Sequence, residues 1–235
     1  MRILFSLLVL CLACEAATAA TPFTGSYSQN FDGLHPLTIK AEALEPLPTP
    51  YHLAQPPFAR ARGMAGWYVH NGGRLELPYR VYGLKGAGTG YVNFGPDNNR
   101  NRSLGSISNG QTALPVFSLI LRNDTGATVN SLRIRFDGEQ WRGAGEPATL
   151  RFDYQVSARP DPRSRDGFLS PAEGFSFTAT GSGIVNGKRE GLHKDLGGVL
   201  ADLEWQPGAF LVLRWTNKSR GAGLAIDNFS MEAVD

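Results

Sequence analysis

The stretch that decides the fold reads PVFSLILRND over residues 115–124, TGATVNSLRIRFDGEQWRGAGEP over 125–147 and ATLRFDYQV over 148–156. It contains three runs of alternating character, separated by Asp124-Thr125-Gly126 and by the glycine-rich turn at 143–147. Side chains on a strand point to opposite faces in turn, so each run presents an apolar row. The rows are Phe117, Leu119 and Leu121; then Leu132, Ile134 and Phe136; then Leu150, Phe152, Tyr154 and Val156. Opposite the last two stand Arg133, Arg135 and Asp137, and Arg151 and Asp153. A helix, at about 3.6 residues per turn, would smear a period of two around its surface. The pattern predicts three neighbouring antiparallel strands, buried on one face and wet on the other.

Upstream, Tyr27 and Phe31 anchor a first strand that stops at Asp32-Gly33. Residues 35–65 carry Pro36, Pro46, Pro48, Pro50, Pro56 and Pro57, which rules out a central strand there. So long an irregular span is expected to pack over an edge or an open end of the sheets. Strands are predicted at 66–70, 75–84, 90–94 and 103–106, bounded by glycine and asparagine turns, with the polar DNNRNR loop at 97–102. Downstream come a charged loop over 157–171 containing RPDPRSRDG, a short strand at 175–177 and a polar excursion over 181–196. Residues 200–205, 210–215 and 221–231 close the pattern, and 196–204 also admits a turn or two of helix. No repeat or break in composition calls for a second domain, so residues 21–235 read as one all-β domain, a two-sheet antiparallel β-sandwich.

Residues 1–20 read as a signal peptide. Arg2 gives the positive start, 3–13 an apolar stretch too short to span a bilayer, and Ala17-Thr18-Ala19 a small-residue cleavage pattern. This implies secretion to an extracytoplasmic compartment. Lipid attachment at Cys14 is the alternative, against which Cys11 stands where such sites usually carry leucine. Both cysteines lie in the removed segment, so the mature chain has neither disulfides nor cysteine metal sites. The formal charge is +2 and stays so when Arg2 and Glu15 leave together. Without a basic block, nucleic acid is not an expected partner.

The two ends carry a resemblance. Asn30-Phe31-Asp32-Gly33 near the start and Leu224-Ala225-Ile226-Asp227-Asn228-Phe229-Ser230 at the finish resemble the framing motifs of MAM domains and of concanavalin-like jelly rolls. Gly138 to Arg142 and Arg102 to Ser106 look like segments of exported bacterial domains without assigned activity. The resemblance implies a jelly roll whose first and last strands lie side by side. It also implies that acidic groups near those strands, Asp32 and Asp227, hold a structural calcium. The chain departs from MAM domains in lacking their cysteines, and has Asn228 where a second Asp is common.

Calcium takes six to eight hard oxygens, and Asp32 and Asp227 with nearby carbonyls supply several. The plainer reading has Asp32 capping a turn and Asp227 hydrogen-bonding loop amides, because a carboxylate sharing a face with Ala225, Phe229 and Met231 needs partners. Glu139, Gln140, Trp141 and Arg142 combine carboxylate, amide, indole and guanidinium as a sugar-binding surface does, with the ring stacked on the sugar and the polar groups on its hydroxyls. Against that, Trp141 can serve as core, with Glu139 paired to Arg142 or Arg133. The Arg133, Arg135 and Arg151 row with Asp137 and Asp153 suggests either a ladder for anionic polysaccharide or, given its mixed signs, a solvated ion-pair face. RPDPRSRDG reads as a surface turn.

Catalytic signals are sparse. His35, His52, His70 and His193 lack zinc-pair spacing, and no G-x-S-x-G elbow is present. Asp137 and Glu139 form the one weak pair of carboxylates for glycosidic hydrolysis. The sequence points to a non-catalytic module that binds a polysaccharide or cell-surface glycan. A polysaccharide lyase or glycoside hydrolase on the same scaffold and a structural envelope protein are the alternatives.

Overall fold

A computed structural model of the chain describes residues 19–34, 51–54, 63–72, 79–81, 89–96, 99–111, 114–164, 166–171, 173–189 and 193–234. The signal-peptide reading, with Cys11 and Cys14, and most of the proline-rich span lie outside the described residues. In chain order the strands are β1 (Thr21–Phe23), β2 (Ser26–Gln29), β3 (Tyr51–His52), β4 (Trp67–Asn71), β5 (Tyr79–Val81), β6 (Gly90–Phe94), β7 (Ser103–Ile107), β8 (Pro115–Asn123), β9 (Ser131–Ala144), β10 (Ala148–Ser157), β11 (Phe177–Ala179), β12 (Ser182–Ile184), β13 (His193–Leu200), β14 (Phe210–Asn217) and β15 (Gly223–Val234). A single 3-10 turn at Asp32–Leu34 is the only helical element among the described residues.

The strands form a two-sheet β-sandwich of jelly-roll type. The front sheet runs β11-β10-β14-β8-β4-β3, with β1 added in parallel to β8. The back sheet runs β12-β9-β15-β7-β6-β5, with β13 on β9 and β2 on β15. All neighbours are antiparallel except β1 with β8 and β5 with β6. The first and last strands of the back sheet lie side by side, Tyr27 opposite Met231 and Gln29 opposite Phe229, as the terminal motifs predict.

The alternation in 115–156 names the core faces correctly. Phe117, Leu119, Leu121, Leu132, Ile134, Phe136, Leu150 and Phe152 are all buried in one cluster between the sheets. Trp215 sits at its centre, its ring 5.1–5.9 Å from those of Trp67, Phe117, Phe136, Phe152 and Phe229. Each large apolar side chain so buried contributes about 1.5–3 kcal/mol.

The pairing expected for that stretch is different in the structure. β8 and β10 flank β14 in the front sheet, and β9 lies in the back sheet between β15 and β12 or β13. The two turns are therefore crossovers between sheets, not hairpins. A period of two fixes which face is buried, but both sheets of a sandwich bury one face and the signal cannot tell them apart. The outer face is not uniformly wet either, since Asp153 is buried.

Two further expectations change. The helix expected at 196–204 is strand followed by irregular chain: His193–Leu200 runs antiparallel along β9, Leu196 opposite Phe136, and Asp202 and Glu204 adopt left-handed φ values of 55° and 47°. Gly197, at φ +130° and pressed against the Ile134 carbonyl, holds a backbone that a helix excludes. In β15 the register with β9 shifts between Asp227 and Ser230, and Asn228 adopts φ 48°. This irregularity reverses the alternation. Phe229 and Met231 join the inner core, whereas Asp227 keeps company with Ala225 on the outer face.

Candidate functional site

Four adjacent strands of the front sheet build a groove on its outer face. Their register aligns two rows of side chains: Arg151, Thr216, Val116 and His70 in one, and Asp153, Arg214, Ser118 and Tyr68 in the next. The groove has a volume of about 590 Å³, within the range usual for small-ligand clefts. Arg163, Ser164 and Phe168 from the 158–171 loop form its wall, and Leu114 and Lys218 stand at its other margin.

The loop is a wall because it is tied to the sheet. Leu169 exchanges backbone hydrogen bonds with Tyr154, 2.8 and 2.9 Å, and Ser170 Oγ donates to Asp153 Oδ1 at 3.1 Å. Arg214 is the main pin. Its Nε and Nη2 donate to Asp153 Oδ2 at 3.3 and 3.0 Å, its Nη1 donates to the Ser164 carbonyl at 2.8 Å, and its guanidinium lies 3.5 Å from the centre of the Phe168 ring. Arg151 completes the arrangement, with Nε 3.2 Å from Asp153 Oδ1 and Nη2 donating to Ser170 Oγ at 2.7 Å. One buried carboxylate thus orients two guanidiniums, in the charge-assisted geometry that gives the strongest protein hydrogen bonds.

His70 is the neutral member. Burial, then the nearby Arg214 and Arg163 guanidiniums against the opposing pull of Asp161, push its pKa down to about 3. Among the described residues, its Nδ1 and the Ser118 hydroxyl are buried polar atoms of this face without a hydrogen-bond partner. Such atoms are uncommon in folded proteins and are costly unless something pairs with them.

The outer face of the back sheet holds the residues the sequence singled out. Glu139 and Trp141 are buried there, whereas Gln140, also buried, stands opposite Leu224 of the inner core. The Trp141 ring stacks on Phe94 at 5.5 Å, its indole N–H donates to Glu139 Oε2 at 2.9 Å, and Val92, Ile107 and Ala225 pack around it. Residues 185–189 lie across this small core as a strap. Val185 N donates to the Trp141 carbonyl at 3.0 Å, and a Cβ on Gly187 would come within 2.6 Å of Trp141 Nε1, so only glycine fits. Lys188 then plugs the acidic centre. Its ammonium lies 2.8 Å from Glu139 Oε1 and is paired with Asp227 Oδ2, while Ser103 Oγ donates to Glu139 Oε2. Arg142, opposite Ile184 and Gly223, is half-buried at the rim.

Burial pushes the Asp227 carboxyl up to about 7, with the Lys188 ammonium pulling it down and Glu139 pushing it up. Asp32 lies elsewhere, at the start of the 3-10 turn, where Oδ1 accepts from Arg102 N at 3.1 Å and Oδ2 from Asn30 Nδ2 at 2.9 Å. Asp32 and Asp227 engage different partners, and among the described residues no three His, Cys, Asp or Glu side chains gather as metal ligands. The cation between Asp227 and Glu139 is an ammonium of the chain itself. These residues do not assemble the oxygen cage that calcium takes.

The structure therefore separates the expected residues. It unites Glu139, Trp141 and Asp227 in a closed cluster, leaves Asp32 in a turn, and brings Arg151, Asp153 and the RPDPRSRDG loop together with His70 and Arg214 in the groove. The two carboxylates of the weak hydrolytic pair take different partners: Asp137 accepts from Asn228 Nδ2 at 2.8 Å, whereas Glu139 is paired with Lys188. Arg214 and His70 gave no signal of their own in the sequence, because only register places Arg214 beside Asp153 and His70 in the lining of the same groove.

No protein-family model and no curated protein matches the chain. Among solved structures it is similar to the CBM22-1 xylan-binding domain of Paenibacillus barcinonensis Xyn10C, with 15% identity over 71% of this chain and 93% of that one, at a TM-score of 0.39. A cleaved adhesin domain of Lys-gingipain from Porphyromonas gingivalis shares 14% identity over 89% and 99%, at 0.43. The enzymatically active domain of tailspike protein 4 from bacteriophage CBA120 shares 13% over 72% and 19%, at 0.39. No helix among the described residues is long and apolar enough to cross a membrane.

Proposed function

We propose that the chain is a secreted, non-catalytic glycan-binding module whose ligand lies in the front-sheet groove. The observation that carries this reading is the pre-organised pair of guanidiniums on the neighbouring strands β10 and β14. Arg151 and Arg214 are held by Asp153 before any ligand arrives, which lowers the ordering cost of binding. Phe168 supplies an apolar surface in the wall, and saccharides are bound by this mixture of ring and fixed polar groups.

The chemistry of the groove favours binding over turnover. Among the described residues Asp153 is the one carboxylate in its lining, already committed to two arginines, whereas glycosidic hydrolysis ordinarily employs two. The fold itself leaves function open, so the site has to bear the weight. A glycan array with the mature protein, followed by chromatography of each bound saccharide after long incubation, tests the proposal. Retention of intact saccharide supports a binding module. Release of shortened or unsaturated products would make it an enzyme, and an array without hits would favour a structural role.

A further inference from the structure

The groove's charge points to a narrower ligand class. Among the described residues, four of its lining side chains are cationic, Arg151, Arg163, Arg214 and Lys218, and one, Asp153, is anionic. Arg214 and Asp153 neutralise each other. Asp161, 3.4 Å from Arg163 Nε, offsets one more charge, so two positive charges remain in the groove (four minus Asp153 minus Asp161). The whole chain carries a formal +2, so this one concavity holds a surplus equal to that of the entire molecule. His70 adds nothing to it, being held neutral partly by that same field.

Two of the cations are placed to meet a ligand. The Arg163 side chain is 61% exposed and Arg151 54%, whereas Arg214, at 14%, serves the scaffold. A guanidinium presents a planar fork of donors that matches a carboxylate or sulfate with two parallel hydrogen bonds. Clefts lined by one sign of charge also concentrate ligands of the opposite sign. Resting on the glycan-binding reading above, we infer that the groove takes an anionic saccharide, one whose sugar residues bear carboxylate or sulfate groups. Arg163 and Arg151 receive the anion, Phe168 packs against the ring, and Lys218 meets a second anionic group further along the chain.

Calorimetric titration of the mature protein tests this with polygalacturonate, heparin, neutral xylan and a thymidine oligonucleotide. Polygalacturonate and heparin separate carboxylate from sulfate recognition. The expected result is binding to at least one of them, none to xylan, and weakening of about tenfold for Arg163→Ala, the loss of one charge-assisted pair. Raising the salt should weaken binding as well, since exposed charges are screened. Arg133→Ala, on the outer face of the back sheet, should leave affinity unchanged and so separates a local site from net charge. Lys218→Ala supplies a second groove variant should Arg163→Ala disturb the loop. Xylan binding that withstands both substitutions would overturn the charge inference and leave the module standing. Binding to no saccharide would overturn both, and equal affinity for the oligonucleotide would show a general polyanion surface instead.

Discussion

The two outer faces of the sandwich start from similar materials. On the back sheet Glu139, Asp227 and Trp141 meet Lys188; on the front sheet Asp153, Phe168 and His70 meet Arg214 and Arg151. The difference is where the adjoining loop lies. Residues 185–189 cross their face and insert Lys188 between two carboxylates, so the cluster is closed and paired with a cation of the chain itself. Residues 158–171 stand beside theirs, bonded to the edge of β10, and leave a trough with charge to spare. A constellation that looks functional by residue type is thus closed off where a strap covers it, and becomes a site where a loop only walls it.

The comparison breaks most sharply at Lys188. Lys188→Met strands two carboxylates in a buried position, and breaking a buried pair costs about 3–5 kcal/mol. The urea midpoint should fall accordingly, while saccharide binding by the surviving folded protein is unchanged. Loss of binding at intact stability would move the site to the back sheet. Next comes Asp153→Ala, which leaves Arg214 and Arg151 without their shared anion. Because Arg214 retains some exposure, the expected loss is smaller, about 2–3 kcal/mol, and here binding should be lost too.

A pH series sharpens the back-sheet half. The folded Asp227 carboxyl is raised to about 7 from an ordinary 3.8, so between these values the native state holds a proton that the unfolded chain has released. Its contribution to stability is complete below the lower value and is lost as pH rises through the higher one. Asp227→Asn cannot ionise. Denaturant midpoints at about pH 4.5 and 7.5 should therefore shift in favour of the variant on going up. A parallel pair of curves would show that Asp227 is ionised in the fold throughout.

Smaller effects are expected elsewhere. A chelator should leave the melting temperature unchanged, since Lys188 is the cation paired with Asp227; a fall would show that calcium is bound. Arg163→Ala should change stability by less than about 0.5 kcal/mol, its side chain being largely exposed.

Much of this fold is legible in the sequence. The apolar rows of 115–156, the strands at β4, β6, β7, β14 and β15, and the adjacency of the two ends all follow from periodicity, turns and terminal motifs. Sheet membership does not, because Leu132 and Leu150 obey the same alternation in different sheets. β12 and β13 were hidden as well: His193–Leu200 carries two glycines and alternates weakly, being held by the edge of β9. At the site, residue type misled twice. Trp141 reads equally as a sugar platform or as core until the strap over it is seen. Arg151 and the RPDPRSRDG loop read as solvated surface until register sets them beside Arg214, His70 and the buried Asp153.

The central claim, that ligand enters the front-sheet groove and leaves the closed back-sheet cluster undisturbed, is tested most directly by mapping amide shifts of isotopically labelled protein during titration with an acidic oligosaccharide. Shifts should concentrate at His70, Arg151, Ser164, Phe168 and Arg214. Shifts centred instead on Glu139 to Arg142 and on 185–189 would contradict the account and mean that the strap opens to admit the ligand.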